Sequence, residues 1–244
     1  MWSFCGFSVA ASLTALALSP AAPASPAATP AGTRALPTMT ARVVLPVTAL
    51  GAPRAGARPR MRLVGATAWT GVAQRLMVTG SHRDPRGRRW VRVQLPIRPN
   101  QTNGWVPADH LRLSATRLRF EVHTGSRRLE IWSGTRRLHA WPAGVGRAGT
   151  PTPAGRFAIQ DPVPTLPEWR GVYGSFTLTL TAHSATLRRF MGGDALVAIH
   201  GPGSGRSWRV GGASSHGCVI LDEGALAIAA RYARPGTPVV IDRS

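Results

Sequence analysis

His200, His216 and Cys218 stand in one short stretch, IHGPGSGRSWRVGGASSHGCVIL, running from Ile199 to Leu221. A thiol with an ordinary pKa of about 8.5 is mostly protonated at neutral pH, so it becomes a useful nucleophile only beside a base or a positive charge. His200 is the candidate base. It leaves the end of the apolar run ALVAIH, so a sheet would hold its imidazole while the Gly-rich loop folds Cys218 back towards it. Small residues surround the thiol: Gly217 permits close backbone approach, and the amides of Gly217 and Cys218 are expected to form an oxyanion hole, a contribution of about 10² to 10³ in rate per donor. The constellation reads as acyl chemistry by Cys218 and His200. Two plainer readings compete with it, an inert buried cysteine and a zinc site of His200, His216 and Cys218. The zinc site lacks a fourth ligand and any CxxC or HExxH pattern, so no metal is expected. Gly203-Ser204-Gly205 is no phosphate loop, because Lys is absent and no helix follows directly.

The second cysteine, Cys5, lies at the start of an uncharged apolar run, Phe4 to Leu18, that leads into Ser19-Pro20 and the small-residue stretch AAPASPAATPAG. Residues 1–24 are expected to be a secretory signal peptide cleaved near Ala24. The run is short of the about 20 residues a transmembrane helix needs, so no stable membrane span is expected after cleavage. Cys218 is then the single thiol of an exported protein and has no internal disulfide partner. Residues 25–40, rich in Pro, Ala and Thr, are expected to form a flexible linker.

The 244 residues include 43% hydrophobic side chains, and 30 basic residues against 10 acidic ones give a formal charge of +20. That composition fits a soluble globular chain of one or two domains, with a core that needs no disulfide or metal staple. All the basic residues are Arg, which points to coding bias more than to one recognition chemistry. The charge calls for an anionic setting, and nucleic acid, acidic lipid and an anionic bacterial cell wall would each supply it. Nucleic acid is disfavoured: the arginines are scattered without a recognisable binding motif, and the chain is expected outside the cell.

From 41 to 114 short apolar runs (RVVLPVTAL, MRLVGATAW, QRLMVTG, WVRVQLPI, GWVPADHLRL) alternate with Gly, Pro and Arg, which argues for a small antiparallel β unit. From 115 to 244 the pattern stays mainly β, with candidate strands RLRFEVH, RRLEIWS, TRRLHAW, GRFAIQ, SFTLTLT, ALVAIH and PVVIDR. One clear helix interrupts it after the cysteine: Asp222 caps ALAIAARYA, Arg231 and Arg234 lie near the negative end of its dipole, and Pro235-Gly236 stops it. No internal repeat is evident, which excludes a solenoid or propeller.

Two family resemblances attach to these residues. Trp90-Val-Arg-Val-Gln-Leu-Pro with Asn100 to Pro107, containing Gly104-Trp105-Val106, resembles the end of a bacterial SH3-like barrel; this implies a wall-binding domain over 41–114, in which Trp90 and Trp105 are core or line a ligand groove. His200-Gly201, the loop, Ser215-His216-Gly217-Cys218-Val219, and upstream Thr150-Pro151-Thr152-Pro153-Ala154-Gly155-Arg156-Phe157 resemble the L,D-transpeptidase (YkuD-like) family. That resemblance implies a catalytic β-sandwich over 115–244, with Cys218 as nucleophile, His200 as base and the Gly201 carbonyl orienting the imidazole. It also implies a site lining of Ser215, His216 and Tyr173, with Gly174 and Ser175 adjoining, and no cofactor. Its reaction uses peptidoglycan stem peptides: a Cys218 thioester resolved by an amine gives a 3→3 crosslink, and one resolved by water gives L,D-carboxypeptidase activity. Both outcomes stay open, as does a wall-binding protein with weakened catalysis. The family usually has Arg or Asn two residues after the cysteine, whereas this chain has Ile220; compensation by Arg206 or Arg209 is expected.

Overall fold

The computed structural model describes residues 36–204 and 208–244, so the expected signal peptide, the first part of the expected linker and Arg206 lie outside the described residues. Two sheets account for most of the chain. The first has seven antiparallel strands, in the order Pro59–Leu63, Val47–Leu50, Asn103–Pro107, Arg89–Gln94, Arg75–Arg83, Thr38–Val43 and Leu111–Thr116. Its apolar residues meet in a core that includes Val43, Leu63, Leu76, Val93 and Val106. The first strand starts at Thr38, inside the stretch expected to be linker. The reason is pairing on both sides: Thr40 lies opposite Met77 and Ser114 in register, and its Oγ1 lies 2.9 Å from Ser114 Oγ.

Trp90 is core, only 2% exposed, with its indole N–H donated to Asp84 Oδ2 at 3.1 Å. Trp105 is half-buried, its ring flanked by His82 and by the Arg92 guanidinium.

The second sheet has eight strands, ordered Arg136–Pro142, Arg128–Ser133, Leu118–His123, Pro238–Asp242, Gly155–Pro164, Phe176–His183, Leu196–His200 and Val219–Ile220. All seven expected strands are present. The long strand Gly155–Pro164 joins its halves: Gly155 to Ala158 pair with Pro238–Asp242, and beyond them the strand pairs with Phe176–His183, with a register shift between Ile159 and Asp161. A bulge of this kind bends a strand and increases its twist. The expected β-sandwich is therefore one sheet, curled about a single core that takes Phe120, Ile131, Phe157, Leu180 and Ile199 from its two halves.

The helix Glu223–Tyr232 is capped as expected, Asp222 Oδ1 accepting the Ala225 N–H at 2.9 Å. It buries Ala225, Leu226 and Ala229 in that core. A one-turn helix, Arg170–Tyr173, is an addition too short to show a hydrophobic period.

Polar side chains tie the two sheets together. Asp161, fully buried, accepts the N–H groups of Trp69 and Thr70 at 3.0 and 3.1 Å and also the Thr70 hydroxyl. Gln94 donates to the Arg156 carbonyl at 2.7 Å and accepts from Thr181 Oγ1 at 2.8 Å. Buried polar groups are tolerated when each finds such a partner. The described residues accordingly belong to one compact unit. Among the described residues no helix is long and apolar enough to cross a membrane.

Candidate active site

His200 ends the strand Leu196–His200, which pairs antiparallel with Phe176–His183 on one side and parallel with Val219–Ile220 on the other. In the parallel register Ile199 lies opposite Val219 and His200 opposite Ile220. Side chains alternate along a strand, so Cys218, two residues before Ile220, faces the same side of the sheet as His200. Residues eighteen apart in sequence thereby line one cavity of about 20 Å³, room for a single water-sized group.

The imidazole is fixed at one nitrogen. His200 Nδ1 lies 2.7 Å from the Gly201 carbonyl oxygen. A carbonyl only accepts, so Nδ1 carries the proton and Nε2 is left as the basic lone pair. Tyr173 and Trp208 pack edge-on to the ring, with centroids at 5.1 and 5.4 Å. His200 is 1% exposed; burial holds its pKa down to about 4, and the bond to Gly201 opposes this only partly. Cys218 is partly buried, and its surroundings push the thiol up to about 11 against a backbone hydrogen bond from Ala198. At neutral pH the resting pair is a neutral thiol beside a neutral imidazole.

Ser215 lines the same cavity and also braces the motif. Its hydroxyl donates to the Cys218 carbonyl at 2.6 Å and accepts the Gly217 N–H at 3.1 Å, and the residue is 1% exposed. The oxyanion expectation is corrected at Gly217, whose amide N–H is donated to Ser215 Oγ. Gly217 is needed for its backbone, at φ 118°, a region that side chains avoid. The upstream TPTPAGRF segment holds this turn from behind. Thr150 Oγ1 donates to the Ser215 carbonyl at 3.1 Å, and Thr152 Oγ1 accepts the Gly146 N–H beside it at 2.8 Å.

Tyr173 and His216 line the cavity. The Tyr173 hydroxyl is held near Met191 Sδ at 3.3 Å, and burial, followed by repulsion from Cys218 once that thiol is ionised, raises its pKa. His216 lies against Phe190, with centroids at 5.2 Å. Arg209 does not line the cavity: its side chain is exposed and its backbone amide is taken by Ser214 Oγ. Ile220 is fully buried, exchanging backbone hydrogen bonds with Gly144 at 2.8 and 2.9 Å.

Sequence reasoning missed Trp208, Phe190 and Glu223. A tryptophan inside a Gly-rich loop was the available signal for the first. The second belongs to a two-pair ladder, Arg189–Phe190 with Gly193–Asp194, too short to read. Glu223 Oε2 accepts the Ser175 N–H at 3.0 Å. Its Oε1 fills the space that a side chain at Gly174 or Gly201 would need, so those two glycines let the helix start pin the backbone next to His200.

Residues 117–241 match the L,D-transpeptidase catalytic domain, YkuD. That is half of the chain, and the chain belongs to this family. Among solved structures, an L,D-transpeptidase from Mycobacterium tuberculosis H37Rv is 13% identical with a TM-score of 0.42, covering 73% of this chain and 92% of that one. One from Mycobacterium smegmatis is 17% identical with a TM-score of 0.40, covering 68% and 93%. The structure of Bdellovibrio bacteriovorus Bd1075 is 20% identical with a TM-score of 0.41 over 52% of this chain, which spans about half (48%) of its length. No curated protein sequence matches the chain.

Proposed function

We propose that the chain is an exported cysteine L,D-transpeptidase forming 3→3 peptidoglycan crosslinks. The observation that carries this is the Nδ1–H···O=C bond from His200 to Gly201, which leaves Nε2 basic on the face it shares with Cys218. Cys218 gives its proton to Nε2 as sulfur attacks the amide carbonyl of the third stem residue. The oxyanion forms against the Cys218 amide. Its collapse expels the terminal D-alanine, whose nitrogen takes the proton from His200, and a thioester remains. The side-chain amine of a second stem then attacks, losing its proton to Nε2, and the thiol leaves with that proton. Water in place of the amine gives the carboxypeptidase outcome.

The sheet of residues 38–116 is read as an SH3-like wall-binding unit. Its expected span, 41–114, holds thirteen Arg against two Asp, which supports an anionic cell-wall partner.

Incubating the purified protein with a disaccharide-tetrapeptide and following intact mass tests the reading. Wild type should gain the acyl mass and release D-alanine, and Cys218→Ala should do neither. A 3→3 dimer from Cys218→Ala would overturn the thiol mechanism. Tripeptide alone from wild type, with an acceptor stem present, would select the carboxypeptidase.

A further inference from the structure

The excursion between His183 and Ala195 supplies Ser184, Leu187, Phe190 and Ala195 to the wall of the cavity that holds Cys218 and His200. Its own bonding is short-range: two ladder pairs at the tip, the Ser184 N–H donated to the Ala195 carbonyl at 2.8 Å and the Ala195 N–H to the Arg188 carbonyl at 3.5 Å, and Ser184 Oγ accepting the N–H groups of Thr186 and Leu187 at 3.4 and 3.1 Å. We propose that Arg98 and Asn100, which belong to the first sheet's turn, are positioning residues that set the shape of this wall; the proposal rests on the reading of the cavity as an acyl-donor site.

One guanidinium reaches three points of the excursion. Arg98 Nη1 donates to the Ser184 carbonyl at 2.7 Å, Nη2 to the Leu187 carbonyl at 2.9 Å and Nε to Asp194 Oδ1 at 3.2 Å. The other Asp194 oxygen lies 3.0 Å from Nε2 of His183, which is 2% exposed. Asn100 completes the base: its Nδ2 donates to the His183 carbonyl and its Oδ1 accepts the His183 N–H, each at 2.8 Å. The outgoing limb at 184, the middle at 187 and the returning limb at 194 are therefore fixed by one side chain from the other sheet.

These contacts are separate from those that dock the sheets. Asp161 with Trp69 and Thr70, and Gln94 with Arg156 and Thr181, join the sheets without touching the excursion. Removing Arg98 thus leaves the docking in place and frees the wall. The task needs a planar fork of donors; an ammonium at the same place is a single point and cannot span all three acceptors.

The test compares Arg98→Ala and Arg98→Lys with Arg112→Ala, an exposed arginine of the same sheet, by amide hydrogen exchange and by thioester formation from a disaccharide-tetrapeptide. Both Arg98 variants should exchange faster by about tenfold or more at residues 184–195, with the strands Gly155–Pro164 and Leu196–His200 unchanged. Donor kcat/KM should fall by a similar factor through KM, with kcat and its pH profile retained, and Arg112→Ala should match wild type. Unchanged exchange at 184–195 would overturn the proposal. So would faster exchange throughout both sheets in Arg98→Lys, which would make the residue cement for the interface alone. If wild type forms no thioester, the functional reading fails, while the exchange comparison still decides for or against the clamp.

Discussion

Replacing His200 by glutamine should flatten the acid limb of the stability curve. The imidazole is buried and its pKa is held at about 4, against 6.5 for an ordinary histidine. Below about 6.5 the unfolded chain takes up a proton, and the folded chain refuses it until about 4. The stabilisation is therefore complete above pH 6.5 and is lost as pH falls through the folded value. At about 1.4 kcal/mol per pH unit, the loss attributable to this residue reaches about 3 kcal/mol. Glutamine keeps an amide N–H for the Gly201 carbonyl but does not titrate. Urea unfolding of both proteins at pH 7.5 and pH 4.0 gives the comparison directly. Wild type should lose about 3 kcal/mol more than His200→Gln between the two conditions. The pKa of His183 is also lowered by burial, but that residue is present in both proteins and cancels in the difference. Equal losses would refute a buried neutral imidazole. A difference of the opposite sign would mean that His200 rests as imidazolium beside a thiolate.

Ile220→Arg, which restores a residue usual in the family, should destabilise by about 3 to 5 kcal/mol because it puts a charge at a fully buried site; a urea midpoint equal to wild type, or a gain in donor turnover, would contradict this. Ser215→Ala removes both bonds of the brace and should cost about 2 kcal/mol with a fall in thioester formation, checked by urea unfolding and intact mass; full activity in the variant would show that the Gly217–Cys218 turn holds its shape unaided.

The legible parts of this fold are those governed by local pattern. Alternating or continuous apolar runs marked the strands from Leu118 onwards, and Asp222 with Pro235-Gly236 bracketed the helix. That Cys218 and His200 share one cavity was readable because their types are rare and their spacing is short. What stayed hidden depends on which group a side chain meets. Ser215 reads as a site residue and lines the cavity, but the pattern does not show that its hydroxyl also braces the turn. Gly217 looks like an oxyanion donor, yet its N–H points at that hydroxyl. Arg98 is one of thirty arginines in the sequence, and its three acceptors lie about ninety residues away.

The neutral resting pair and the departure at Ile220 have one physical explanation. Ile220 is the cross-strand partner of His200, and it is apolar and buried. A dry neighbour disfavours the imidazolium, which is the direction in which the His200 pKa moves. The same dryness disfavours the thiolate of Cys218. Proton transfer from sulfur to Nε2 is then unfavourable in the empty site and becomes favourable only as negative charge passes to the substrate oxygen beside the Cys218 amide. An arginine at 220 would place a cation next to the imidazole, depress its basicity further and stabilise a free thiolate. On the proposed mechanism the isoleucine thus keeps the Cys218 thiol protonated until an acyl donor arrives, a useful property for a thiol proposed to work outside the cell, where oxidation attacks the thiolate first.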